Sequence, residues 1–225
     1  ASVSENGFPG GVLGIMRPED DATFLAATGM AEALSIVNTD QRLWTAKTSM
    51  TTDTRFRIAS VTKPFTATMI LMLVDQDVLS LDQTIENFFP GLVPNSSIIT
   101  LRNLLNMTSG LYDHEEYPPM VKYITCGDLT QHFTPEELIE LSNTSGEGTV
   151  RFKPGEYYKY VNTNFTILAM IAKKATDKTY KELITSMIID RLELAGTSVP
   201  GDYDVDMPAP FTHGYDICNE TSVWK

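Results

Sequence analysis

Phe56-Arg-Ile-Ala-Ser-Val-Thr-Lys-Pro-Phe-Thr-Ala67 is the stretch on which the reading of this chain turns. Ser60 and Lys63 stand one helical turn apart, so on a helix both side chains share a face. Residues from Ser60 to about Val78 are almost all apolar, Met69-Ile-Leu-Met-Leu-Val74 most of all, which predicts a helix buried on most sides. Ser60 suits its N-terminus as a cap, and Pro64 is close enough to the start to be tolerated. A serine at a helix N-terminus, beside free backbone N–H groups, is placed as a nucleophile. A serine hydroxyl needs an adjacent base to react at neutral pH, and an amine serves only where burial or a nearby cation favours its neutral form. The tetrad alone says little, because Ser222-Val-Trp-Lys225 repeats it. Context separates the two: Lys63 falls in an apolar helix where a lone amine needs a partner, while Lys225 starts no helix.

The second chemical element is Tyr160-Val-Asn162, placed on a loop after Pro154-Gly155 and directly before a helical pattern from Phe165 to Thr176. A phenol can relay a proton to or from a serine hydroxyl, and a side-chain amide can hold both a lysine and a substrate carbonyl. The bland alternative is that Tyr160 packs and Asn162 caps the following helix.

Working outward, Gly10–Met16 and Thr23–Thr28 flank a turn at Arg17–Asp21 and read as a hairpin at a sheet edge. Leu81–Pro90 and Thr100–Asn106 read as two small helices. Thr134-Pro-Glu-Glu137 carries a capping box with Pro at the first helical position, and Tyr180–Leu192 completes the helical middle. Residues 112–131, 142–156 and 197–212 read as loops. The organisation is a sheet portion over 1–59 and a mainly helical region over 60–225.

Composition sets the outer limits. With 225 residues, 42% of them hydrophobic and 20% charged, the chain is of ordinary globular type and long enough for one large domain or two small ones. Seventeen Lys and Arg against 29 Asp and Glu leave a net charge of −12, the wrong sign for gripping a phosphate backbone, so no nucleic-acid partner is expected. No apolar run approaches the roughly 20 residues of a membrane span. The chain opens Ala-Ser-Val with no charged-then-apolar leader, so a secretory signal is expected to be already removed or never present. Cys126 and Cys218 are too few for a disulfide scaffold, although one bridge between them would close a long loop. Sequons at Asn95, Asn106, Asn143, Asn164 and Asn219, with the acidic balance, suit an extracellular or periplasmic protein.

Three ordered segments, Phe56–Ala67, Leu104-Leu-Asn-Met-Thr-Ser-Gly-Leu111 and Tyr160-Val-Asn-Thr-Asn-Phe165, resemble signatures of the serine β-lactamase and D-Ala-D-Ala carboxypeptidase superfamily. The similarity runs from about Gly10 to Tyr215 and is nearest the branch of class C β-lactamases, DD-peptidases, D-aminopeptidases and related esterases. It implies an α/β (α+β) fold of the β-lactamase/transpeptidase-like type, an antiparallel sheet flanked by helices plus a mainly helical domain. It also implies Ser60 as the acylated nucleophile, Lys63 as the amine that helps deprotonate it, Tyr160 as proton relay and Asn162 as a ligand of substrate and lysine. The Ser60 N–H would be half of an oxyanion hole. No cofactor and no metal are implied. The substrate would be a small peptide containing D-amino acids, with a β-lactam or an ester as alternatives, and a non-catalytic scaffold is the outsider.

Departures from the pattern are informative. The third motif of the family, K-T-G or H-x-G, is missing; His213-Gly214 stands in a segment that precedes it in relatives. Family members continue well past the point where this chain stops, so it is expected to lack the C-terminal strands and to be one piece of a longer polypeptide, either a fragment or the first chain of a processed protein whose second polypeptide carries them. Asn106-Met107 replaces a frequent histidine, and Val161 a usual serine. Rival chemistries fit poorly. G-x-S-x-G is absent, Asp113-His-Glu-Glu116 lacks a second histidine at zinc spacing and reads as a solvated acidic loop, and Asp202, Asp204 and Asp206 mimic a calcium loop without its glycine and terminal acid.

Overall fold

The computed structural model describes residues 9–20, 22–38, 41–121, 132–201, 204 and 206–214. It separates into two units, one of residues 1–58 with 205–225 and one of residues 59–204.

The first unit is a three-stranded antiparallel sheet in the order β1 (Gly10–Arg17), β2 (Ala22–Asn38), β3 (Gln41–Ser49). The hairpin is where the alternation places it, with Gly10 opposite Gly29 and Arg17 opposite Ala22. β2, however, runs on for 17 residues and pairs with β3 after a register shift at Glu32, so one strand serves two hairpins. Glu32 and Lys47 form an ion pair at 2.7 Å beside that shift. The described residues 206–214 group with this sheet. The Arg55 N–H donates to the Pro210 carbonyl and the Thr212 N–H to that of Arg55, which ties the returning chain to the end of the sheet portion.

The second unit holds the core. Its helices are α1 (Thr62–Asp75), α2 (Leu101–Leu105), α3 (Pro135–Ser145), α4 (Thr163–Thr176) and α5 (Tyr180–Ile184). α4 packs on α1, α2, α3 and α5. Met69 and Ile70, Leu101 and Leu104, Ile139, and Ile167, Leu168 and Ile171 meet in one cluster with Leu183 and Ile184. On α1 the buried positions Thr66, Met69, Ile70 and Leu73 form a single stripe, and Leu71 is 48% exposed. The helix is thus buried on one side only among the described residues, because its neighbours α4 and α5 lie along that stripe. It ends at Asp75 instead of Val78, since Asp77 adopts a left-handed conformation (φ 56°) that closes the helix.

Other local readings fare unevenly. Thr134 and Glu137 form the reciprocal capping box, the Glu137 N–H donating to Thr134 Oγ1 at 3.2 Å and the Thr134 N–H to Glu137 Oε2 at 2.7 Å. α3 then extends through Ser145, into the stretch read as loop. Leu81–Pro90 forms only a 3₁₀ turn at Ile85–Asn87. The Tyr180–Leu192 pattern begins as an α-helix but widens into a π-helical turn at Thr185–Ile189. Cys126, Cys218, Asp202 and Ser222–Lys225 lie outside the described residues. No helix among the described residues is long and apolar enough to cross a membrane.

Candidate active site

Ser60 sits in a 3₁₀ turn, Ala59–Val61, that leads into α1. Ala59 has φ 44°, a left-handed conformation that costs an L-residue about 1–2 kcal/mol. That turn brings the exposed Ser60 to the start of the helix, with Lys63 on the next turn. Ser60 does not cap the helix as expected: Val61 occupies the cap position and receives no side-chain bond. The hydroxyl is engaged elsewhere. Lys63 Nζ donates to Ser60 Oγ at 3.1 Å, and the Tyr160 hydroxyl donates to the same oxygen at 2.7 Å.

Lys63 is held from three sides. It donates to Asn162 Oδ1 at 2.6 Å, and its Nζ lies 4.7 Å from the centre of the Tyr160 ring and 5.8 Å from that of Phe165. Asn162 therefore does not cap α4; it stands at the cap position with no capping bond, its side chain turned to the lysine. The four residues singled out from the sequence, Ser60, Lys63, Tyr160 and Asn162, form one hydrogen-bonded constellation.

The loop that delivers Tyr160 and Asn162 is held by the Thr-Ser-Gly segment. Gly155 N–H donates to Thr108 O at 2.8 Å, Lys159 N–H to Met107 O at 2.9 Å and Arg151 N–H to Gly110 O at 2.8 Å. Gly110 has φ 78°, and a Cβ there would lie 2.1 Å from Phe152 O, so only glycine fits. Ser109 Oγ donates to Asn164 Oδ1 at 2.7 Å, and Asn164 Nδ2 donates to Met107 Sδ at 3.4 Å. Met107 thus supplies an acceptor through its sulfur. Val161 is fully buried in the core, which suits an apolar residue there. Asn164 is fully buried too, so its sequon is closed to modification in the folded chain.

Asp113-His-Glu-Glu116 is the clearest correction. Only half of it is a solvated loop: Asp113 is 5% and His114 7% exposed, while Glu115 and Glu116 are open to solvent. Asp113 Oδ2 accepts from both the Asn162 N–H at 2.8 Å and Asn162 Nδ2 at 3.0 Å, while Oδ1 accepts from the Glu115 N–H at 3.1 Å. The His114 N–H donates to Thr163 Oγ1 at 3.2 Å, and its Nδ1 lies 3.0 Å from the same oxygen. Sequence reasoning missed these residues because their partners are about fifty positions away. The one available signal was Asp113 following the Thr-Ser-Gly motif so closely.

A cleft of about 400 Å³ opens beside Ser60 and Lys63, with His114, Glu115, Asn162, Phe165 and Tyr180 among its walls. Its electrostatics follow from burial and from Lys63. Burial raises the Glu115 carboxyl above the usual range and Asp113 raises it further, against the pull of Lys63. Burial lowers the His114 imidazole, opposed by Asp113. For Tyr160, burial acts upward, but hydrogen bonding with Lys63 and Ser60 and the charge of Lys63 outweigh it, so the phenol lies below its ordinary value. His213 belongs to the sheet unit, edge-on to Phe211 at 5.2 Å, with Nε2 3.9 Å from Glu32.

The chain as a whole is similar to known proteins. The family model described as Beta-lactamase matches residues 6–215. Penicillin-binding protein 4* of Bacillus subtilis is 30% identical over 144 residues, 64% of this chain and 30% of that protein. D-aminopeptidase of Brucella anthropi is 29% identical over 181 residues, 80% of this chain and 31% of that protein. The D-stereospecific amidohydrolase structure from Streptomyces sp. superposes with a TM-score of 0.82 at 28% identity, over all of this chain and 61% of its own. The matched chain thus spans about a third of those two curated relatives and under two thirds of that solved one. The chain belongs to the Beta-lactamase family, within the serine β-lactamase/DD-peptidase superfamily, and has that family's mixed fold of helices and antiparallel sheet.

Proposed function

We propose that this chain carries the nucleophile of a hydrolase that works through an acyl-serine intermediate on peptides or amides of D-amino acids. The observation that carries the reading is the Ser60 oxygen held between two proton-transfer groups, Lys63 at 3.1 Å and Tyr160 at 2.7 Å. In the proposed reaction Ser60 Oγ attacks the substrate carbonyl, and its proton passes to Lys63 or Tyr160, whichever is in its base form. The Ser60 N–H faces the oxyanion as the tetrahedral intermediate forms. The carbonyl carbon–nitrogen bond then breaks, the leaving amine takes the proton, and water later cleaves the acyl ester by the reverse path. A phenol held below its ordinary value by its bonds to Lys63 and Ser60 gives up a proton more readily than an unperturbed one.

Two relatives support the D-amino-acid reading by what their names say of them, a D-aminopeptidase and a D-stereospecific amidohydrolase. The cleft supports it as well. Glu115 places a carboxyl on its wall, and a substrate with a free α-ammonium would pair with it and offset the burial that raises it. A class C-like β-lactamase or carboxylesterase is the second reading, favoured by the likeness to penicillin-binding protein 4*. The groups that complete the cleft, including a second oxyanion donor, are proposed to come from polypeptide outside these 225 residues. The test is hydrolysis by the full-length polypeptide of D-alanine p-nitroanilide, its L-enantiomer, its N-acetyl derivative, nitrocefin and p-nitrophenyl acetate. At least tenfold preference for the free-amine D-anilide is expected; turnover of nitrocefin or the ester alone would overturn the substrate assignment.

A further inference from the structure

The Asn162 side chain can be turned either way about its last bond, presenting oxygen or NH₂ to Lys63. Only one orientation works chemically. Lys63 Nζ donates, so it needs the oxygen, which it finds at 2.6 Å. In the reversed orientation two donors would face each other there. Local structure gives Asn162 no help in choosing, since it makes no capping bond to its own helix. The choice is made from 49 residues away.

We infer that Asp113 is a positioning residue that sets the orientation of the Asn162 amide and, through it, the placement of Lys63 against Ser60. One Asp113 oxygen accepts from the Asn162 side-chain NH₂ at 3.0 Å and from the Asn162 backbone N–H at 2.8 Å. Turning the amide over would set its oxygen against that carboxylate oxygen, an acceptor against an acceptor. The second Asp113 oxygen accepts from the Glu115 N–H, which fixes the carboxylate in turn. Both residues are tied down a second time, because His114 bonds to Thr163 Oγ1 and so fastens the segment next to Asp113 to the residue after Asn162. At 5% exposure the bonds of Asp113 are shielded from competing water, where each lost partner costs most. The chain of contact runs Asp113, Asn162, Lys63, Ser60, with Asp113 touching no reacting atom.

This inference rests on the acyl-serine reading, and its test separates the two. In the full-length polypeptide, Ser60 acylation by a fluorophosphonate is timed in wild type, Asp113→Asn, Asn162→Ala and the double variant. Asp113→Asn is expected to slow acylation at least tenfold with an intact thermal transition, and to change it less than twofold once Asn162 is alanine. Equal losses in both backgrounds would overturn the positioning role. Asn162→Asp supplies an independent check: it keeps an acceptor for Lys63 but sets two carboxylates face to face, so it should acylate no faster than Asn162→Ala. Wild-type speed in that variant would contradict the inference. A third readout needs no acylation at all. The Asn162 side-chain amide protons, identified by their loss in Asn162→Ala, should exchange with solvent at least tenfold faster in Asp113→Asn, and unchanged exchange would overturn the assignment even if Ser60 never labels.

Discussion

The two units of this chain use apolar residues in opposite ways. In the helical unit Met69, Ile70, Leu101, Leu104, Ile167, Leu168 and Ile171 are all fully buried against one another. In the sheet unit Leu13, Ile15, Met16, Phe24 and Leu25 are each more than half exposed. Since neighbouring residues on a strand face opposite sides, Ile15 with Met16 and Phe24 with Leu25 leave apolar surface on both faces of the hairpin. A helical unit that closes its own core can hold a hydrogen-bonded constellation rigidly. A hairpin open on both faces buries little apolar surface of its own. The three candidate catalytic residues, Ser60, Lys63 and Tyr160, and the candidate substrate ligand Asn162 lie in the closed unit.

Substitutions in the two units should therefore differ in cost. Lys63→Met keeps the helix but removes the amine beside Ser60, and should lower acylation of the full-length polypeptide by 10³-fold or more, about 4 kcal/mol. A loss below tenfold would show that the constellation does not work as a unit. In the core, Leu168→Ala should destabilise by about 2–5 kcal/mol in denaturant unfolding, by loss of buried area plus a cavity. A cost under 1 kcal/mol would mean that the helical unit does not close on itself.

The buried histidine offers a pH signature. Because burial lowers the His114 pKa from its ordinary 6.5, the unfolded chain binds more protons just below that value. Stability therefore rises with pH through this window and is lost as pH falls from 6.5 toward the folded-state value. Raised Glu115 tilts stability the opposite way at lower pH, so the measurement is the difference between wild type and His114→Asn. The wild-type melting temperature should drop more steeply below pH 6.5 than the variant's; parallel curves would mean that His114 is charged in the fold. Thr134→Ala, which removes one half of the α3 capping box, should cost about 1 kcal/mol. At the small end, Leu25→Ser in the isolated 225-residue chain should change stability by less than about 0.5 kcal/mol. A loss of 2 kcal/mol or more would mean that the hairpin is packed and would erase the contrast.

What the sequence revealed follows the range of the interactions. Motifs whose function depends on near neighbours were legible: the Ser60–Lys63 turn, the Thr134–Glu137 box and the alternation of the first hairpin. Tyr160 and Asn162 were legible through resemblance, which supplies long-range pairing that spacing alone does not. Asp113 was not, because a buried aspartate and a solvated one look alike in a run such as Asp-His-Glu-Glu, and only the fold places it under Asn162. The one-sided burial of α1 was hidden for a related reason. An all-apolar helix does not say which of its faces a neighbour will take, and Leu71 reads like Ile70. β3 went unread because β2 continues across a register shift, where alternation breaks.

Ser60, on the proposed function, is a nucleophile activated by Lys63 and Tyr160. The most direct measurement is the intact mass of the full-length polypeptide before and after treatment with a fluorophosphonate, with the adduct mapped by peptide sequencing and repeated on Ser60→Ala. One adduct on Ser60, absent from the variant, is the expected result. An unlabelled protein, or an adduct that persists in Ser60→Ala, would contradict the account.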